Sequence, residues 1–369
     1  MKKITLISIA LVLVISLNFV GQVSAQGDYP FIIFGGSNSN NGINKSGNLT
    51  DEFEDLVFPS SMYNYNYLYS GSTFSGLNTY FTAYIHDEST SVVNYAGKIL
   101  KSTDGINYIE VGGNVEPLVS IMSDNNGTLV AAGGKVYPGT NRYYSVIMTS
   151  KDDGQTFTTT HSSSLDVTNI SENPLLFGGS ITKVFYLNNT FFTIGNAGTN
   201  LYMLKSEDGV NWEQVGSAKF GFISGIRDIS PVGMEYSNGI YVIALTDGRE
   251  GYSWEWIATS NDGLNWSNVK LPISTTYDYF TSLVLVEGEF VVFGNKWFDN
   301  AGFVIKSTDG TTWSNQEPTN KRVSNVKYDA NTNLFVGSYN NALLYSLDGL
   351  IWNTLKNFNG IIQTLSMSK

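Results

Sequence analysis

The residues best equipped for ligand chemistry in this 369-residue chain are its four arginines, Arg142, Arg227, Arg249 and Arg322. A guanidinium fork matches a carboxylate through two parallel hydrogen bonds. Close to them in sequence stand Asp247, Glu250, Tyr277, Asp278, Trp297 and Asp299. Aromatic rings such as these suit the apolar faces of sugars, so the set points to a carbohydrate or another surface ligand. The plainer reading is that they are solvated loop residues and strand-end charges. Other chemistries find less support. His86 and His161 are the only histidines, which rules out a His-rich metal centre and leaves a Ser-His-Asp triad conceivable and no more. Phosphate-cradling loops and dinucleotide fingerprints are absent. Neither a cofactor nor a metal is expected.

What must position these residues is a repeat. Lys205-Ser-Glu-Asp-Gly-Val-Asn-Trp212 recurs as Lys101–Tyr108, Thr149–Phe157, Thr259–Trp266, Lys306–Trp313 and Tyr345–Trp352. The six serines fall at 102, 150, 206, 260, 307 and 346, giving steps of 48, 56, 54, 47 and 39 residues. That is the length of a four-stranded propeller blade with variable loops. Each copy follows an alternating apolar run and leads to an aromatic, so it reads as strand, turn, strand. Gly accepts positive φ at no steric cost, and the carboxylates of Asp104, Asp152, Asp208, Asp262, Asp309 and Asp348 are expected to accept backbone amides. Calcium fits poorly, because most copies carry one carboxylate and the ion takes six to eight oxygens.

Ser150-Lys-Asp-Asp-Gly-Gln-Thr-Phe157 resembles the Asp-box, Ser-x-Asp-x-Gly-x-Thr-Phe, of the BNR repeats in sialidases and related propellers. The other five copies resemble a shorter variant, and the resemblance runs from about Tyr63 to the C-terminus. It implies an all-β propeller in which the boxes lie away from the active site. Sialidase chemistry would further require three converging arginines, a Tyr nucleophile with a Glu partner and an Asp acid/base. The family's Arg-Ile-Pro start is missing here, since Arg227 is followed by Asp228, so no catalytic residue is carried over.

The ends of the chain are complementary. Tyr29–Gly36 reads as the second strand of a blade, and Gly360–Met367 as a first strand with no blade after it. Pairing them would close the ring and remove an exposed edge. The expectation is therefore an all-β propeller of four-stranded antiparallel blades, seven in number and closed by the terminal strands. The alternative is six blades with residues 26–59 as an appendage. In the fifth repeat the strands are expected at Tyr279–Val286, Glu289–Gly294, Gly302–Ser307 and Thr312–Gln316. With strands a to d in each blade, the a–b and c–d turns share one face, and the b–c and d–a loops share the other. Length and irregularity concentrate in the latter, which places all eight candidate ligand-binding residues, Arg142, Arg227, Asp247, Arg249, Tyr277, Trp297, Asp299 and Arg322, on one face.

Composition agrees with an exported all-β protein. Charged residues are 14% and hydrophobic residues 42%, with 37 Gly, 8 Pro and no Cys. Formal net charge is −11, which speaks against a nucleic-acid partner. Lys2-Lys3, the apolar run from Ile4 to Leu17 and the small-residue exit Val23-Ser-Ala25 read as a signal peptide over residues 1–25, followed by one propeller domain over 26–369. The mature chain is expected to be a monomer without a membrane span, secreted or periplasmic. The leading expectation is a non-catalytic propeller that binds a glycan or another cell-surface ligand through its irregular face. A glycoside hydrolase of the sialidase-like superfamily and an extracellular protein-interaction scaffold are the alternatives.

Overall fold

The computed structural model describes residues 31–36, 45–47, 53–55, 67–75, 78–85, 97–104, 107–136, 143–162, 180–197, 200–215, 229–247, 256–271, 278–296, 298–330, 332–357 and 361–367. The expected signal peptide over residues 1–25 lies outside them. No helix among the described residues is long and apolar enough to cross a membrane.

The strands fall into four-stranded antiparallel sheets whose members follow one another in sequence. Near the N-terminus come β1 (Phe31–Gly36), β2 (Lys45–Gly47) and β3 (Phe53–Asp55). The first repeat is β4 (Tyr67–Ser75), β5 (Asn78–Ile85), β6 (Gly97–Ser102) and β7 (Ile109–Val115). The second is β8 (Leu118–Ser123), β9 (Leu129–Val136), β10 (Tyr143–Ser150) and β11 (Thr158–Ser162). The third is β12 (Ser180–Leu187), β13 (Thr190–Ala197), β14 (Asn200–Ser206) and β15 (Glu213–Val215). The fourth is β16 (Ile229–Ser237), β17 (Ile240–Asp247), β18 (Trp256–Ser260) and β19 (Ser267–Val269). The fifth is β20 (Asp278–Val286), β21 (Glu289–Lys296), β22 (Gly302–Ser307) and β23 (Glu317–Pro318). The sixth is β24 (Ser324–Asp329), β25 (Leu334–Tyr339), β26 (Ala342–Ser346) and β27 (Asn353–Asn357), and β28 (Ile361–Met367) ends the chain.

The molecule is thus an all-β propeller of four-stranded antiparallel blades, and the expected blade count needs correction. The repeat builds six blades, β4–β7 through β24–β27. The terminal strands form a sheet in the order β28-β1-β2-β3, with Phe31 opposite Met367 and Gly36 opposite Ile361. That sheet joins the two chain ends, lacks the Ser-Asp-Gly turn, and includes two strands of only three residues. It is a composite closure rather than a seventh copy of the repeat.

Two local signals in the sequence set the blade. Tight a–b turns place Asn188 and Asn189 at φ 48° and 59°, Asn238 at 52° and Glu287 at 50°, the left-handed geometry that two-residue hairpins need. Near-continuous apolar runs in the b strands then bury both faces, as in β21, where Phe290 to Asn295 are all buried. Cores lie between blades: Phe192, Ile194 and Met203 of the third pack with Met234, Tyr241 and Trp266 of the fourth. At the seam, Ile362 and Leu365 of β28 pack on Leu334, Val336 and Leu343 of the sixth.

The repeated turns bind each blade to the one before it. In all six, the Ser Oγ donates to an oxygen of the Asp two residues on, at 2.7 to 3.1 Å. The same Asp208 oxygen accepts the amides of Val210 and Asn211, both at 2.8 Å, and Asp262 accepts those of Leu264 and Asn265 at 2.8 and 2.7 Å. Hydrogen bonds from the backbone favour the ionised form and hold Asp208, Asp262 and Asp309 far below the usual carboxylate range. Gly310 has φ +70°, and a Cβ there would meet Val242 of the preceding blade at 2.7 Å. Trp266, Trp313 and Trp352 then close over their turns, each indole N–H donating to the turn's Gly carbonyl at 2.9 to 3.1 Å. In the third blade Thr149 of the second takes the Gly209 carbonyl instead, at 2.5 Å, and the buried Trp212 N–H has no partner.

The second blade's turn carries one extra residue, Asp153, with φ 55°. Its carboxylate and carbonyl collect Ser75, Asn78, Tyr80 and Lys101 of the first blade. The extra residue therefore ties two blades together, which is packing work. One strand lies elsewhere than expected: the last of the fifth blade is Glu317–Pro318 rather than Thr312–Gln316. Ser314 accounts for the shift, because its hydroxyl accepts the Lys306 amide at 3.0 Å and so occupies the ladder position.

Candidate functional site

The face opposite the Ser-Asp-Gly turns is best described where β21 passes to β22. This loop leaves the blade at Lys296, and the Lys296 amide meets the Ala301 carbonyl at 3.2 Å, so six residues close on a narrow base. Phe298 stands 75% exposed at its tip, with Asp299 and Asn300 exposed beside it.

Arg322, which precedes β24, holds this loop in place. Its Nε donates to the Asp299 carbonyl at 2.7 Å and its Nη2 to the Lys296 carbonyl at 2.6 Å. Nη1 donates to the Tyr339 hydroxyl at 2.9 Å, and the guanidinium lies 5.9 Å from that ring's centre. Three of its five N–H groups are thereby committed to the fold. A charge-assisted bond to a carbonyl is worth about 1.5–3 kcal/mol, so Arg322 fixes the loop on the next blade. Its sequence neighbours extend the brace. Asn295, fully buried, accepts the Val323 amide at 2.9 Å, while Thr319 accepts the Gly302 amide at 2.9 Å. The Asn295 side-chain nitrogen is left without a protein partner, a polar spot beneath the loop.

Of the eight candidate residues, then, Arg322 and Asp299 meet, through the Asp299 backbone rather than its carboxylate. Asp247 is the last residue of β17, with its backbone alone described. Arg142, Arg227, Arg249, Tyr277 and Trp297 lie outside the described residues. Asp278, next to Tyr277, is buried at the start of β20 and accepts Gln316 Nε2 at 3.2 Å. Sequence reading passed over Phe298 and Tyr339. The signal for Phe298 was present, as an aromatic next to Trp297 in a loop of otherwise polar residues. For Tyr339 there was none, since its contact spans 17 residues.

Among the described residues no group of three His, Cys, Asp or Glu could hold a metal ion. His161 sits on the outer strand β11 opposite Ile147, its pKa lowered by burial. The described part of this face offers a presented ring and rigid hydrogen-bonding groups, which suits binding.

No protein-family model matches the sequence, and no curated protein matches it. Among solved structures the chain resembles a protein from Lactobacillus plantarum, with 14% identity, TM-score 0.58, and 92% of this chain and 99% of the other covered. It also resembles a polysaccharide lyase, an ulvan lyase bound to -[GlcA(1-4)Rha3S]-, at 11% identity and TM-score 0.53, with 93% and 92% covered. YCF48 from Cyanidioschyzon merolae matches at 12% identity and TM-score 0.50, with 86% and 94% covered. At such identities the likeness is one of fold, and it makes the β-propeller the conclusion on which comparison and geometry meet.

Proposed function

We propose that this is a secreted, non-catalytic propeller of the BNR-repeat type that binds a glycan or another surface ligand through its b–c and d–a loops. The observation that carries the reading is Phe298, an exposed aromatic held on a loop whose base is braced by Arg322. A rigid ring loses little entropy when a sugar stacks on it, and the hydroxyls of the sugar find the loop's polar groups beside it. The similarity in fold to a polysaccharide lyase, itself bound to -[GlcA(1-4)Rha3S]-, supports the reading.

The test is a glycan array probed with the mature chain and with Phe298→Ala. Selective binding by the former, weakened at least tenfold in the latter, supports the proposal. Binding that survives Phe298→Ala unchanged moves the site off this loop. Hydrolysis of fluorogenic glycosides, abolished by a substitution on this face, replaces the binder with the glycosidase alternative.

A further inference from the structure

The innermost strands β4, β8, β12, β16, β20, β24 and β28 surround the axis of the ring and carry few charges. β4, β8 and β28 have none. β20 has Asp278 at its first position, and β24 has Asp329 at its last. The charged side chains in mid-strand are therefore Lys183 on β12, Glu235 on β16 and Lys327 on β24.

Lys183 occupies a position where four of the other blades have almost no side chain and the sixth has Asn325. Inner strands bulge by one residue, and the residue after the bulge is Gly71, Ser120, Gly233 or Ser282 in four of them and Lys183 in the third blade. The small residues press on the next blade. A Cβ on Gly71 would meet Ser120 Cα at 2.6 Å, and one on Gly233 would meet Leu283 Cβ at 2.7 Å. Ser120 and Ser282 accept the amides of Val184 and Val326 at 3.0 and 2.9 Å. Inner strands packed this closely have no space for a four-carbon stem between them, so the Lys183 chain has to turn toward the axis. Exposure agrees: Lys183 is exposed between buried Ile181 and Val184, and Lys327 is exposed next to buried Val326. With blades packed on both faces of β12 and β24, the water that reaches these lysines is axial.

The two lysines also sense each other. The inner strands around the exposed Lys183 shield it from bulk water, and this desolvation, followed by the charge of Lys327, pushes its pKa down to about 8. Both effects disfavour the charged form, and a bound anion would offset them.

We propose that the axis of the ring is an oxyanion site, in which Lys183 and Lys327 reach from blades three repeats apart to hold a sulfate, phosphate or carboxylate group. Glu235 stands on β16, between these blades, and offsets only part of the charge of the two lysines, so the mid-axial region stays positive and favours an anion. The site is distinct from the Phe298 loop and does not depend on the glycan reading. Its ligand is either a free inorganic anion or the acidic group of a sugar.

Calorimetric titration of the full chain with sodium sulfate and, separately, with sodium galacturonate, against sodium chloride at equal ionic strength, tests this. Saturable heat with sulfate assigns the site to inorganic oxyanions. Tenfold tighter binding of galacturonate assigns it to an acidic sugar. Lys183→Met and Lys327→Met each lose at least tenfold in affinity, and Lys183→Arg keeps it. The proposal is overturned if neither salt differs from chloride, or if both Met variants bind as the wild type does. Because the two Met variants lie on different blades, misfolding of one leaves the other to decide.

Discussion

Asp208→Ala removes a single carboxylate and, with it, the acceptor for two amides. Asp208 Oδ1 takes Val210 N and Asn211 N at 2.8 Å and the Ser206 hydroxyl at 3.0 Å, and Oδ2 takes Asn211 Nδ2 at 2.7 Å. The turn is exposed, so the freed amides turn to water and only the net worth of the bonds is lost. Loss of a side-chain acceptor that caps backbone amides costs about 0.5–2 kcal/mol. With two amides and the Asn211 clamp involved, roughly 1–2 kcal/mol is expected on the same scale. A chain of this length converts that to a fall in Tm of about 1–3 °C. Differential scanning calorimetry reads the shift, and Asp208→Asn, which keeps an acceptor oxygen, should lose less. Gly209 behind the turn packs on Val130 of the second blade, so the damage should remain local and ligand affinity at 25 °C should hardly change. An Asp208→Ala protein that melts normally and has lost its ligand would refute the reasoning, because the Ser-Asp-Gly face would then be the binding face.

Three further outcomes are expected. Arg322→Ala should cost about 2–3 kcal/mol through its bonds to Lys296 and Asp299 and make the 296–301 segment a site of limited proteolysis; an unchanged cleavage pattern counts against the brace. Deleting residues 360–369 removes β28 and the burial of Ile362 and Leu365, worth about 1.5–3 kcal/mol for each side chain, so Tm should fall by several degrees; a truncated chain that melts at the same temperature contradicts closure through β28. Asp152, held down to about 2 chiefly by the Thr156 hydroxyl, is depressed in the folded state, so its stabilisation is complete above about pH 4 and is lost as pH falls toward 2. Urea unfolding across that window should show a smaller loss in Asp152→Asn than in the wild type.

The repeat could be read from sequence because its causes are local. Ser, Asp, Gly and an aromatic at fixed offsets carry their own hydrogen bonds and their own positive φ, wherever the blade sits. The loop face was harder, because its geometry depends on distant partners. Arg322 is an equally plausible ligand-binding group until the carbonyls of Lys296 and Asp299 and the hydroxyl of Tyr339 take its N–H groups. Blade number went astray for a similar reason: complementary ends point to pairing, but only the register shows β2 and β3 reduced to three residues each. Lys183 was legible only in comparison, as the one long cation at a position filled elsewhere by Gly, Ser or Asn. That comparison needs the bulge register, which hydrophobic alternation does not supply.

The central claim is that one face of the ring builds it while the other binds. The most direct test titrates the best array glycan into Phe298→Ala and Asp208→Ala side by side at 25 °C. A loss of affinity of tenfold or more in Phe298→Ala, with Asp208→Ala within twofold of wild type, is the predicted result. The reverse pattern, with Phe298→Ala binding normally and Asp208→Ala failing to bind while still folded, would contradict it.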